Sequence, residues 1–146
     1  MEIIIMIGLQ GSGKSEYVKQ HLSGYERVNL DTLHTRAKEQ KLLDECFENG
    51  KDIVIDNTNP TKEARAKYIA QAKEHGYKVI GYYMQSVLKD CIERNNMREG
   101  KAKVPSHVIA HLSKIMELPE YAEGFDELYY ISNDGNAFER KEWLDE

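Results

Sequence analysis

At 146 residues, 40% hydrophobic and 31% charged, the chain is long enough for one compact domain with a real core and too short for two ordinary ones. No stretch approaches the roughly 18 to 20 apolar residues of a membrane helix, and the first apolar run has no basic leader before it. A single soluble domain over residues 1–146, in the cytoplasm and with no membrane partner, is therefore expected. The net charge of −5 hides an uneven distribution, because residues 60–103 sum to +5 and residues 117–146 to −8. Such a chain permits a phosphate-rich partner without requiring one. Cys46 and Cys91 are far apart with no metal-ligand spacing, which leaves them as small buried hydrophobes.

The run 2–7, EIIIMI, is continuously apolar and ends at Gly8, the pattern of a strand buried on both faces. The segment from Lys14 to Gly24 has helix-forming composition. YERVNL predicts a short second strand ending near Asp31, and TLHTRAKEQKLLDECFENG predicts a helix closed by Gly50. DIVID is a third strand. Asn59 and Pro60 then predict the start of a helix that runs to Gly76. KVIGYYM is a fourth strand, SVLKDCIERNNMRE a helix, GKAK a linker, PSHVIAHLSKIMEL another helix and DELYYIS a fifth strand. The acidic extension 133–146 reads as either a helix docked around Trp143 or a partly ordered tail. Strands alternating with helices at this pitch predict an α/β fold, a parallel five-stranded sheet covered on both faces, with functional groups beyond the strands' carboxyl ends.

GLQGSGKS, Gly8 to Ser15, fits the phosphate-loop spacing G-x-x-x-x-G-K-[ST], and its context agrees, with a buried strand before it and a helix after. Gly8, Gly11 and Gly13 allow the tight backbone path that turns N–H groups, Ser12 included, toward phosphate oxygens. Lys14 reaches the β- and γ-phosphates in such loops, and the Ser15 hydroxyl binds Mg²⁺. ATP and Mg²⁺ are the expected cofactors. Two carboxylates stand at strand ends, Asp31 in VNLDTL and Asp56 in VIDNTN. One can orient an acceptor hydroxyl and take its proton while the other holds Mg²⁺ through water, although either could also be a helix cap or turn former. Arg94 and Arg98 lie four apart on a predicted helix before a glycine. That spacing suits a helical lid over residues 94–105 whose arginines close on the triphosphate, or alternatively ion pairs with Asp90, Glu93 and Glu99 on a solvated face. His107 and His111 share a helix face without a carboxylate to complete a metal motif.

In this order and at these distances GLQGSGKS, VNLDTL, VIDNTNPTKEARAKYI, RNNMREGKAKVP and AEGFDELYYI resemble the P-loop kinase domain of the polynucleotide 5′-hydroxyl kinases, including the kinase half of the kinase–phosphatase repair enzymes. The resemblance runs from about Ile3 to Ile131. It implies a kinase-like P-loop NTPase fold and a nucleic-acid 5′-hydroxyl end, of DNA or RNA, as acceptor. It further implies Asp31 as general base, Lys14 and Ser15 on the phosphates and Mg²⁺, and Arg98 stabilising the transition state. Asp56 and Thr58, with Arg65 on the next helix, are implied on the acceptor side. Family members often carry an arginine just before the base aspartate, where this chain has Leu30, so one basic contact is missing from the motif. The Asp-x-Asp motif of the phosphatase half is also absent, and removal of a 3′-phosphate is not expected. A kinase of a small hydroxyl-bearing metabolite or nucleoside, and an ATP-dependent switch with slow hydrolysis, are the alternative expectations. The pattern carries no signal of oligomeric state.

Overall fold

The computed structural model describes residues 1–98, 103–134 and 137–144. Five strands, β1 (Glu2–Ile7), β2 (Glu26–Val28), β3 (Ile53–Ile55), β4 (Lys78–Met84) and β5 (Glu127–Asn133), run parallel, and a sixth, β6 (Phe138–Glu142), returns antiparallel. The sheet order is β2-β3-β1-β4-β5-β6. The first strand is thus central, paired with β3 on one side and β4 on the other, and every residue from Ile3 to Ile7 is fully buried. Side chains alternate across a strand, and β1 divides accordingly. Ile3, Ile5 and Ile7 join the core under α3 (Arg36–Asn49) and α4 (Lys62–Glu74), while Ile4 and Met6 pack with Tyr17 and Val18 of α1 (Lys14–His21). Each such isoleucine withdrawn from water contributes roughly 1.5–3 kcal/mol. A smaller cluster of Leu9, Cys91 and Ile109 seats α5 (Leu88–Asn96) and α6 (Ser106–Ile115) against the end of β1. No described helix is long and apolar enough to cross a membrane.

Three elements depart from the sequence reading. The helix expected from Thr32 is two pieces, a four-residue α2 (Leu30–Leu33) and α3, broken at His34, whose φ is 71°. Asn59 does not cap α4. Its own φ is 45° and its amide donates to the Met6 carbonyl at 2.7 Å, whereas Thr61 caps the helix by accepting the Ala64 N–H. The acidic extension is neither docked helix nor tail over its described part but β6, which makes the sheet six-stranded. Phe138 meets Tyr17 edge-on at 5.3 Å, Arg140 lies over the Tyr129 ring at 4.5 Å, and Trp143 packs against Tyr83 at 5.4 Å. Phe138 and Arg140 thus meet rings on the α1 side of the sheet and Trp143 meets them on the opposite side, so the strand's pairing is held at both faces.

Candidate active site

The end of β1 opens into the loop Gly8–Gly13, and its backbone demands glycine at two points. Gly11 has φ 83° and a Cβ there would lie 2.2 Å from the Cys91 carbonyl oxygen; Gly13 has φ 99° and faces Asn133 and Phe138. The loop is held from both flanks. Gly8 N–H donates to the Thr58 carbonyl at 3.1 Å, and the Arg94 guanidinium donates to the Gly11 and Asn133 carbonyls. Arg94 therefore braces the outside of the loop and does not line the cavity. Ser12, expected among the phosphate contacts, is fully buried beneath the loop, with its N–H donated to the Leu9 carbonyl at 3.1 Å and its carbonyl accepting from the Asn133 amide at 3.0 Å, so in this conformation it turns no group toward the cavity. The Lys14 ammonium curls back onto the Gly8 and Leu9 carbonyls, both at 2.9 Å. Burial, with Arg98 nearby and against the pull of Asp56 and Asp31, lowers its pKa to about 8.

A cavity of about 180 Å³ follows at the carboxyl ends of β1, β2 and β3, lined by Gln10, Lys14, Ser15, Asn29, Leu30, Asp31, Asp56, Asn57, Thr58 and Arg98. Residues far apart in sequence meet there as the sheet order requires. Lys14 and Ser15 come from the loop, Asp31 from α2, and Asp56 and Thr58 from the end of β3. Arg98 arrives from beyond α5. That helix stops at Asn96, so Arg94 and Arg98 do not share a helix face as the spacing suggested. The expected lid is described only in part, its residues 99–102 lying outside the described segments. Asn95 ties its two sides together by donating to the Val104 carbonyl and accepting the Val104 N–H.

Asp56 is 1% exposed. Its Oδ2 accepts from the Ser15 hydroxyl at 3.0 Å and from Arg27 Nε at 2.7 Å. Its Oδ1 is buried with no hydrogen-bond partner among the described residues. An orphaned carboxylate oxygen beside a loop serine fits a hydrated Mg²⁺, a hard cation that prefers oxygen ligands and keeps several waters. Arg27 was not among the sequence candidates. Its guanidinium also reaches Ser15 Oγ at 3.3 Å and Thr32 Oγ1 at 3.5 Å, and its lone clue was a position two residues before Asn29 on an edge strand.

Residues 3–119 match the AAA domain family AAA_33. The chain belongs to that family. A protein of Acanthamoeba polyphaga mimivirus named as a bifunctional polynucleotide phosphatase/kinase is 36% identical to this AAA_33 domain over 139 residues, 90% of this chain and 33% of that protein. The bifunctional polynucleotide phosphatase/kinase of Schizosaccharomyces pombe is 32% identical over 130 residues, 85% of this chain and 32% of that protein. The chain thus spans about a third of the length of these relatives. Chaetomium thermophilum Kti12, solved with ADP-AlF3, superposes with a TM-score of 0.66 at 20% identity, covering 92% of this chain and 90% of that one. This last likeness is one of fold.

Besides Arg94, another expected site residue of the AAA_33 domain lies away from the cavity. Arg65 is 0% exposed and forms a two-pronged pair with Glu123 at 2.8 and 3.1 Å, while also donating to the Asn59 and Glu117 carbonyls. It bolts the turn after β3 to the segment before β5 and, wholly buried there, does not reach the cavity. An arginine one turn into a helix beside a site motif reads the same whether it points to ligand or core, and only the fold separates the two.

Proposed function

We propose that this domain is an ATP-dependent polynucleotide 5′-hydroxyl kinase, transferring the γ-phosphate of ATP to the 5′-hydroxyl of a DNA or RNA strand. The observation that carries the reading is one cavity with a phosphate loop on one wall and an exposed carboxylate, Asp31, on the other. The names of the mimiviral and yeast relatives support the choice of acceptor. Backbone N–H groups of the loop and the start of α1 hold the phosphates, and Lys14 leaves its carbonyl partners for phosphate oxygens. Asp31 accepts the proton of the 5′-hydroxyl as its oxygen bonds to the γ-phosphorus, and the bond from that phosphorus to the β–γ bridging oxygen breaks to release ADP. Arg98 neutralises charge on the group in transit. Ser15, with Asp56 through water, would hold Mg²⁺, which supplies charge neutralisation on the phosphates. Thr58 faces the acceptor, and residues 94–105 act as a lid that excludes water. A cytoplasmic setting, with its supply of ATP, fits this reading.

The test is transfer of labelled γ-phosphate to a short single strand with a free 5′-hydroxyl, beside the same strand already 5′-phosphorylated. Label is expected on the free end alone. Label on nucleosides or sugars but on neither strand would replace the acceptor class, and ATP hydrolysis with no labelled acceptor of any kind would leave a switch.

A further inference from the structure

Glu39 is a buried carboxylate that the transfer chemistry does not use. It sits in α3 at 2% exposure and is fully satisfied. Lys67 Nζ and Arg36 Nη1 donate to its Oε1, each at 3.1 Å, while Tyr68 OH at 2.9 Å and Asn57 Nδ2 at 3.3 Å donate to its Oε2. Burial pushes the carboxyl up, yet the hydrogen bonds from Lys67 and Tyr68, with Arg36, hold it below its ordinary value. An ordinary surface helix position has no need of four donors converging on one carboxylate, because burying a charge is costly unless it is paired.

The cluster has an outlet. Asn57, whose amide N–H₂ is bound by Glu39 and by Tyr68 OH, uses its side-chain oxygen to accept the Leu30 N–H at 3.0 Å. Leu30 begins α2, the four-residue turn that carries Asp31. The other side of the turn is fixed separately, by Asn29, which accepts from Thr32 N–H and donates to the Asp56 carbonyl. A helix of four residues has almost no intrinsic stability, so these side-chain bonds decide where Asp31 points.

We infer that Glu39 is a positioning residue for phosphoryl transfer, acting through Asn57 on the Leu30 amide to hold Asp31 at the acceptor. The chain of contacts is Glu39 carboxylate, Asn57 amide, Leu30 N–H, Asp31. Replacing the carboxylate by an amide of the same shape lets the Asn57 amide turn or loosen, and the turn then samples orientations that misplace the aspartate. Small misplacements of a reacting group are expensive in rate. This inference rests on the reading of Asp31 as the base.

The experiment compares Glu39→Gln, Asn57→Ala and the double variant with the unaltered chain, using an oligonucleotide acceptor and a fluorescent ATP analogue. Glu39→Gln should lower kcat about 10- to 30-fold, leave ATP binding within about twofold, and have little further effect in the Asn57→Ala background, since residues acting through one link are non-additive. It should also raise the hydrogen-exchange rate of the Leu30 amide while amides of β1 and β4 keep theirs, a change that general loosening of the core would not confine to α2. Unaltered kcat in Glu39→Gln, or full additivity with Asn57→Ala, overturns the inference. If Glu39→Gln fails to fold, Asn57→Ala alone with an unprotected Leu30 amide and unaltered kcat overturns it as well. Asp31→Asn, assayed alongside, separates the two levels: retained transfer in that variant defeats the underlying reading, whereas its loss together with full activity of Glu39→Gln defeats only the relay.

Discussion

The two walls of the cavity are built by different rules. The donor wall is a contiguous stretch of eight residues, Gly8 to Ser15, whose shape comes from backbone conformations that only glycine adopts without strain at Gly11 and Gly13. The acceptor wall is assembled from α2, the end of β3 and the segment after α5, and its shape comes from side chains bonded across long sequence separations: Asn29 to Asp56, Asn57 to Leu30, Arg27 to Asp56. A phosphate site can thus be written in a local motif, whereas an acceptor site must be held by the tertiary structure. Thr58 and Arg94 brace the donor wall, but on a backbone path that glycine already sets, so it should tolerate changes elsewhere in the fold better than the acceptor wall does.

The sharpest way to break that contrast is at Arg65. Arg65→Ala leaves Glu123 buried without its partner and should destabilise the protein by about 3–5 kcal/mol, read as a lower denaturant midpoint. Because Arg65 also holds the Asn59 carbonyl, transfer to an acceptor should weaken in the folded fraction more than ATP binding does. A smaller effect is expected at Arg27, 39% exposed, whose charge sits on the two groups expected to hold Mg²⁺. Arg27→Gln should tighten Mn²⁺ in the enzyme–ADP complex by roughly threefold to tenfold, measured by electron paramagnetic resonance and diminished by salt. Weaker or unchanged Mn²⁺ binding would show that Arg27 does not compete there.

The effect on the donor wall is graded with pH. Burial lowers the Lys14 pKa to about 8, and a bound polyphosphate favours its ammonium form, so binding takes up a proton above that pH. ATP affinity should be flat below about pH 7 and then fall by at most about tenfold per pH unit as pH rises through 8. The stability of the ligand-free protein should move the other way. Between about 8 and the ordinary lysine value of 10.5 the unfolded state binds more protons, so Lys14 adds stability as pH rises through that window. Calorimetric titrations at several pH values check the first statement and denaturant titrations the second.

The same division governed what could be read from sequence. Buried β1, the phosphate loop, the helices ended by Gly50 and Gly76 and the five parallel strands each carry a local signature, and each is present. β6 was missed because FERKE has the composition of a solvated segment. Its pairing depends on Phe138, Arg140 and Trp143 meeting rings on α1, β4 and β5, contacts that no local window contains. Asp31 and Asp56 could be read as a pair of strand-end carboxylates, yet the division of Asp56 between Ser15 and Arg27 could not. Arg65 misled for the converse reason, being a charged side chain in a motif-rich stretch that the fold spends wholly on its interior.

The central claim is that Asp31, presented by the acceptor wall, takes the proton while the donor wall binds ATP without its help. The most direct measurement is single-turnover transfer of γ-phosphate to a 5′-hydroxyl strand by Asp31→Asn, together with its affinity for ATP. Loss of about 10²- to 10⁴-fold in the transfer rate with ATP affinity essentially unchanged is the expected result. Transfer at the unaltered rate, or ATP affinity falling in step with transfer, would contradict the account.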